Sequence, residues 1–137
     1  AMMSAVLDEA FADDVPPLTR IDRFVDGFGR MLGLMREKMG STPGCPLGGL
    51  AGEYAAHGPD ARAQVTRIMR AWTGYFAEAI SEAKGRGEVD AAVDADVAAT
   101  RVLAHLQGLA LLAQAYDDPL LVLRAGTDLR MLLREPR

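Results

Sequence analysis

The sequence predicts an all-helical protein, and three features of its 137 residues carry that prediction. Apolar residues recur at the i, i+3, i+4 and i+7 spacing of amphipathic helices, and no segment alternates with the period of two that marks a half-buried strand. Valine, isoleucine and threonine, which favour strands, are sparse beside alanine and leucine. Proline and glycine fall between the periodic segments, where they begin and end helices. We therefore expect six helices in a single domain spanning residues 1–137.

The first two predicted helices are separated by a turn rich in aspartate and proline. Residues 2–12 show helical spacing until Asp13-Asp14 and Pro16-Pro17 end the pattern. The second helix extends from residue 18 to residue 39 and stops at Gly40. One face of it carries a continuous apolar stripe, formed by Ile21, Phe24, Val25, Phe28, Met31, Leu32 and Met35.

A short third helix and a long fourth helix follow. Pro46 suits the first position of the third helix, which ends before His57-Gly58. Pro59 opens the fourth helix, and Gly85-Arg86-Gly87 ends it. The inner face of this long helix carries Val65, Ile68, Met69, Trp72, Phe76, Ala79, Ile80 and Ala83.

The fifth predicted helix is apolar on nearly every side. Asp94 or Asp96 caps it and it extends to about Tyr116, after which a sixth helix extends from Pro119 to Leu133. A helix that is apolar all round is buried all round, and a domain of this size has little left to cover its outer side. A second copy of the chain would bury this outer side, so we expect a homodimer.

The last two helices form the predicted dimer interface. Gly108 and Gly126 lie inside them despite the cost of about 1 kcal/mol that glycine carries in a helix, which indicates close approach at a helix crossing. Packing of both helices within one subunit is the alternative. The predicted interface residues are Leu103, Gln107, Gly108, Leu111, Leu112, Leu121, Val122, Gly126, Leu129, Leu132 and Leu133.

The composition argues against several classes of function. The net charge is −4 and the 15 lysine and arginine residues are scattered, so the chain lacks the basic stripe of a nucleic-acid-binding surface. Cys45 is the single cysteine and cannot form an internal disulfide. No apolar run approaches the roughly 20 residues of a membrane span, and the first residues do not resemble a signal peptide. We therefore expect a soluble, cytoplasmic protein without a membrane partner.

No catalytic or metal-binding constellation is recognisable. The serines are not set in a Gly-x-Ser-x-Gly elbow, and no phosphate-binding glycine loop precedes a helix. His105 has no second ligand one helical turn away, which favours a hydrogen-bonded interface histidine over a metal ligand. We expect no enzyme, no cofactor and no metal site.

Three short motifs resemble the regulatory domain of TetR-family transcriptional regulators. Residues 44–50, Gly-Cys-Pro-Leu-Gly-Gly-Leu, with Glu53 after them, are similar to the family signature Gly-Cys-x-x-Gly-x-Leu-x-x-Glu. Arg86-Gly87-Glu88 ahead of Asp94 resembles the junction of the family's seventh and eighth helices. Leu106-Gln107-Gly108 resembles the middle of the eighth helix, and together the motifs cover most of the chain.

The resemblance implies a fold and a division of roles. The six helices would correspond to the tail of the family's fourth helix and to its fifth to ninth helices, with the last two pairing across a two-fold axis as a four-helix bundle. Residues 1–13 would be the tail of a connecting helix from an N-terminal helix-turn-helix domain, and nothing in the chain resembles that domain. DNA contact would be made only through that missing N-terminal part.

The resemblance also implies a ligand-responsive repressor whose small effector binds among the inner helices. Methionine and aromatic side chains are the available walls, and they suit a hydrophobic or aromatic effector. The alternative is that these side chains are plain core, since core and pocket share one composition. The alternative function is a stand-alone dimerisation or small-molecule carrier module without a role in DNA control. The predicted ligand-binding residues are Phe24, Phe28, Met31, Met35, Leu50, Tyr54, Met69, Trp72 and Phe76.

Overall fold

The computed structural model describes the backbone of residues 2–124 and 126–133, and the side chains of residues 5–45, 48, 51–124 and 129–133. This part of the chain contains seven helical segments. They are α1 (Met2–Ala10), α2 (Pro17–Met39), α3 (Pro46–Ala55), α4 (Pro59–Gly85), α5 (Ala95–Tyr116), α6 (Leu120–Arg124) and α7 (Gly126–Met131). The prediction of an all-helical fold is confirmed, and the first five helices begin and end close to the predicted residues.

Local chemistry explains where these helices begin. Pro17, Pro46 and Pro59 each lie in the first turn of a helix, where the missing N–H would have no helical partner in any case. Asp94 caps α5, because its carboxylate accepts a hydrogen bond from the Val97 N–H at 3.0 Å. The starts of these helices are therefore encoded by single residues.

Residues in the left-handed backbone region end three of the helices. Gly40 follows α2 at φ 83° and Gly87 follows α4 at φ 75°, a region that glycine enters without steric cost. After α4, the Glu88 N–H donates to the Ala83 carbonyl at 2.9 Å, the long bond of a Schellman motif. The same motif ends α5, but there Asp117 occupies the left-handed position at φ 50°.

Helix α2 lies at the centre of the domain. It packs against α1, α4 and α6, while α5 packs against α4 and α6. Gly29 allows α2 and α6 to approach closely, because a Cβ at Gly29 would lie 2.6 Å from Leu123 Cδ2. The largest fully buried side chains form one core shared by these helices: Phe24, Val25, Phe28, Leu32, Phe76, Ile80, Val102, Leu106, Val122 and Leu129.

The stretch predicted as one final helix is helical on both sides of residue 125, as α6 and α7. Residue 125 itself lies outside the described residues. None of the helices described is both long and apolar enough to span a membrane.

Candidate functional site

An aromatic cluster fills the space between α2 and α4, where the sequence predicts ligand-binding residues. The ring centroid of Phe24 lies 5.2 Å from that of Phe76 and 6.3 Å from that of Trp72. Phe28 stacks on Phe24 with the ring centroids 6.2 Å apart. All four side chains are buried, and their spacing is that of packed aromatic rings. In this structure they are core, and their role in binding remains a prediction.

Phe11, which the sequence analysis does not single out, connects the end of α1 to this cluster. Its ring centroid lies 5.2 Å from that of Tyr75 and 5.7 Å from that of Phe76, both on α4. The signal in the sequence is the spacing, because Phe11 follows Leu7 at i+4. The aromatic cluster therefore fixes the position of α1 as well as that of α2 and α4.

The remaining predicted ligand-binding residues are dispersed. Met35 and Met69 are partly buried at the edge of the core. Tyr54 is 45% exposed, and its hydroxyl donates to Gln64 Oε1 at 3.4 Å rather than covering the aromatic cluster. The side chain of Leu50 lies outside the described residues. Met31 is the predicted residue that borders a cavity.

That cavity is an open cleft of about 570 Å³ between α1 and α2, which we call the α1–α2 cleft. Its floor is apolar, and charged side chains of both signs stand at its rim. The volume falls within the range of small-molecule sites. The residues that line it are Ala5, Val6, Glu9 and Ala10 from α1, and Arg23, Asp26, Gly27, Arg30, Met31 and Leu34 from α2.

A buried arginine holds the turn between α1 and α2. Arg20 is 6% exposed, and its guanidinium donates to the Val15 carbonyl at 2.7 Å and to the Asp13 carbonyl at 3.2 Å. It also donates to Glu82 Oε2 on α4 at 2.6 Å. Because a guanidinium offers five N–H donors, one side chain satisfies two backbone carbonyls and a carboxylate. Arg20 thereby ties the turn, α2 and α4 together.

The glycine-rich turn of the signature motif, at the start of α3, contacts the Gln107 and Gln114 side chains on α5, while α3 as a helix packs against α4. Cys45 is buried and caps α3, its sulfur accepting from the Gly48 N–H at 3.5 Å. The Gln107 side chain on α5 donates to the same sulfur at 3.6 Å. A Cβ at Gly48 would overlap Gln107 Oε1, and a Cβ at Gly44 would lie 2.6 Å from Gln114 Oε1. The glycines of this motif therefore serve helix packing.

A polar clamp joins the end of α2, the following loop and the end of α5. The Arg36 guanidinium donates to the Asp117 carboxylate through Nε at 3.1 Å and Nη2 at 3.0 Å. Thr42 donates to the same carboxylate from its N–H at 2.8 Å and from its hydroxyl at 2.9 Å. The bonds from Arg36 and then from Thr42 lower the pKa of Asp117 from 3.8 to about 2.

One face of α5 is apolar and open to solvent. Leu111 is 64% exposed and Leu112 is 40% exposed, and the exposed positions Ala104, Gly108 and Ala115 continue the same side of the helix. The apolar surface extends past the end of α5. Exposed side chains that the sequence analysis did not include are Val97, Tyr116, Leu120 and Met131.

The predicted interface residues differ in how far they are exposed in the single chain. Four are buried in the core of the single chain and are not exposed on its surface: Leu103, Val122, Leu129 and Leu133. Leu121 and Leu132 are partly buried against the core, and Gln107 lies over the turn at Cys45. Gly126 begins α7, but its surroundings lie outside the described side chains. Leu111, Leu112 and Gly108 are the predicted residues that lie on the exposed face.

His105 differs from the expectation of a hydrogen-bonded side chain. Its Nε2 is buried and has no hydrogen-bond partner among the described residues. Unpaired buried polar atoms are uncommon in native proteins, so the predicted hydrogen bond is not one that the described part of a single chain makes.

These features define an all-helical domain with a cleft beside its first helix and an exposed apolar face on its fifth. Residues 17–129 match the family described as tetracyclin repressor-like, C-terminal domain. Because the match covers most of the chain, the protein belongs to this family. The motifs that suggested the resemblance lie within the matched region, at the α3 turn, the end of α4 and the middle of α5.

A solved structure has the same fold. The crystal structure of a TetR transcriptional regulator from Chloroflexus aurantiacus J-10-FL superposes with a TM-score of 0.72 at 23% sequence identity. The match covers 94% of this chain but 65% of that one, so the chain spans about two thirds of the length of the regulator it matches. No curated protein matches the chain significantly. The predicted TetR-type fold is confirmed.

Proposed function

We propose that this chain is the regulatory part of a cytoplasmic TetR-like transcriptional repressor. It pairs with a second copy of itself and binds a small apolar effector, while a separate helix-turn-helix domain contacts DNA. Membership of the family over residues 17–129 supports the regulatory role. The exposed apolar face of α5 is the observation that carries the proposal, because monomers seldom leave such a surface uncovered. We expect no catalytic activity.

The pattern of residues on this face supports pairing with a second helix. Ala104, Gly108, Leu111 and Ala115 are all exposed and are separated alternately by four and three residues, the spacing of helices that pack at a shallow angle. Arg101, one turn before Ala104, is the charged residue at the end of this row. Gly108 has no heavy atom within 4 Å of the place where a Cβ would stand, so a partner backbone has room there. A two-fold axis through this face would bring the same residues of two copies together.

The α1–α2 cleft supports the effector-binding part of the proposal. It has the volume of a small-molecule site, and Met31 connects its floor to the aromatic core. Since α1 forms one wall, an effector in the cleft would favour one position of α1 over others. A shift of α1 would change the spacing of two DNA-reading domains attached ahead of it.

Dimerisation is tested by the mass in solution of Leu111→Glu. We expect the wild-type chain to have twice the mass of 14.7 kDa by light scattering at micromolar concentration. Placing a carboxylate in the interface should weaken the dimer more than about a hundredfold, because it removes apolar burial and buries an unpaired charge. Ile68→Glu is the matched control, since Ile68 belongs to α4 and is 37% exposed, although its spacing places it on the inner face of that helix. A monomeric wild-type chain would contradict the proposal.

The regulatory role is tested by fusing the chain to a DNA-binding domain that represses a reporter only as a dimer. We expect repression with the wild-type chain and with Ile68→Glu, and loss of repression with Leu111→Glu. Repression that is unaffected by Leu111→Glu would show that α5 does not supply the pairing.

A further inference from the structure

The α1–α2 cleft combines an apolar floor with two arginines on one rim. Arg23 and Arg30 both line it from α2 and stand two helical turns apart. We propose that this cleft binds an amphipathic anion, with the apolar body on the floor and a carboxylate held by Arg23 and Arg30. This assignment rests on the proposed function, because it names the chemical class of the effector.

The floor of the cleft determines the chemistry of the apolar body. Val6, Ala10 and Met31 provide aliphatic surface along the line where α1 crosses α2. Gly27 lets the helices approach closely, because a Cβ there would lie 2.8 Å from Val6 Cγ1. Because these apolar side chains are all aliphatic, the floor suits an aliphatic chain as the apolar body.

The rim determines the preferred charge of the head group. Neither Arg23 nor Arg30 forms an ion pair with a described acidic residue, whereas Arg20 and Arg36 on the same helix do. A guanidinium binds a carboxylate through two parallel N–H donors, so these two side chains are available to an anionic head group.

Two acidic residues in the cleft disfavour an anionic head group. Neutralising them and neutralising the arginines should therefore change the affinity for an anion in opposite directions. Asp26 lies between the two arginines in the sequence of α2, and Glu9 lines the same cleft from α1. Each carboxylate repels an anionic ligand and competes for the guanidinium groups. Neutralising an acid should therefore strengthen the binding of an anion, and neutralising the arginines should weaken it.

The experiment is a calorimetric titration of the chain with decanoate below its micelle concentration, beside decanol and decylamine. We expect decanoate to bind more tightly than either of the other two. The double variant Arg23→Gln with Arg30→Gln should weaken decanoate binding about tenfold or more, and Glu9→Gln should tighten it about threefold. The double variant Arg62→Gln with Arg67→Gln is the matched control, because both arginines are exposed on α4 outside the cleft, and it should bind as the wild type does.

Decylamine binding more tightly than decanoate would overturn the assignment, as would unchanged decanoate binding in the Arg23 and Arg30 variant. All the substituted side chains are exposed, so far-UV circular dichroism should report the wild-type fold for each variant. A chain that dimerises and represses the reporter but does not bind decanoate keeps the proposed function and loses this assignment. A monomeric chain that binds decanoate with the expected dependence on Arg23 and Arg30 would keep this assignment and lose the proposed dimeric function.

Discussion

Among single residues, Asp117 combines an unfavourable backbone conformation with a side chain that makes several hydrogen bonds. Its φ of 50° lies in the left-handed region, where a residue other than glycine costs roughly 1 kcal/mol more. Glycine would end α5 without that cost, but it has no carboxylate to accept the four hydrogen bonds from Arg36 and Thr42. The hydrogen bonds that Asp117 accepts from α2 and the loop after it therefore offset the steric cost of its left-handed backbone conformation.

The lowered pKa of Asp117 predicts how stability depends on pH. The carboxylate has a pKa of about 2 in the folded chain and 3.8 as the reference value, so its stabilising contribution is complete above about pH 4. That contribution is lost as the pH falls towards 2, because the protonated group no longer pairs with Arg36. We expect wild type to be more stable than Asp117→Asn at neutral pH and the difference to shrink below about pH 4 in urea denaturation. A difference that is independent of pH would contradict this origin of the stability.

Arg20 predicts a contrast between two variants of one ion pair. Arg20→Met leaves the Val15 and Asp13 carbonyls without their donor, so we expect a loss of about 2 to 4 kcal/mol in the free energy of unfolding. Glu82→Gln should cost less than about 1 kcal/mol, because the Glu82 side chain is 44% exposed and water screens the pair. Urea denaturation measures both values. Equal losses would mean that the ion pair, rather than the carbonyls of the turn, carries the effect.

Among the elements, the contact between Gly48 on α3 and the Gln107 side chain on α5 predicts that one substitution destabilises the wild type and stabilises a variant. Alanine is favoured over glycine in a helix by about 1 kcal/mol, but a Cβ at Gly48 displaces the Gln107 side chain. Gly48→Ala should therefore destabilise the wild type by about 1 kcal/mol and stabilise the Gln107→Ala variant. Gly52→Ala on the same helix is the control, because no heavy atom lies within 4 Å of the place where its Cβ would stand, and it should stabilise both backgrounds. Thermal denaturation of the four combinations decides this, and additive effects of Gly48→Ala and Gln107→Ala would refute the contact.

The sequence predicts these elements unequally. The predicted helix start at Pro59 and helix end at Gly40 follow from chemistry local to the chain, and the structure confirms them, while α2 begins at Pro17, one residue before its predicted start. Which side of α5 is exposed could not be predicted, because leucines occupy both sides and the buried side is decided by the contacts of α4 and α6. The α1–α2 cleft was missed for the same reason, since it depends on how closely Gly27 lets two helices approach.

The candidate site shows a further limit of sequence reasoning. Apolar spacing correctly placed Phe24, Phe28 and Phe76 on inward faces, but packed core and cavity wall have the same composition. The distinction depends on whether the rings touch, and in this chain Phe24 contacts both Phe28 and Phe76, with Phe11 from the turn after α1 packed against Phe24 and Phe76 as well. Burial can therefore be predicted from periodicity, whereas empty volume cannot.

At the scale of the whole molecule, the core closes within one chain and leaves the α5 face as a separate surface. Leu103, Val122 and Leu129 are buried without a partner copy, so a dissociated chain retains its hydrophobic core. We expect Leu111→Glu to be a folded monomer with wild-type helicity by circular dichroism and a urea midpoint that does not change with protein concentration. The wild-type midpoint should rise with concentration, because association stabilises the folded state.

Val122→Glu is the contrasting variant in this experiment. Val122 is fully buried, so a carboxylate there is unpaired in the core and should prevent folding. If Leu111→Glu were unfolded as well, the α5 face would be part of one core shared between two chains, and folding and association would be a single step. A folded Leu111→Glu monomer beside an unfolded Val122→Glu chain would instead separate the two, which allows an effector to act on a protomer that is already complete.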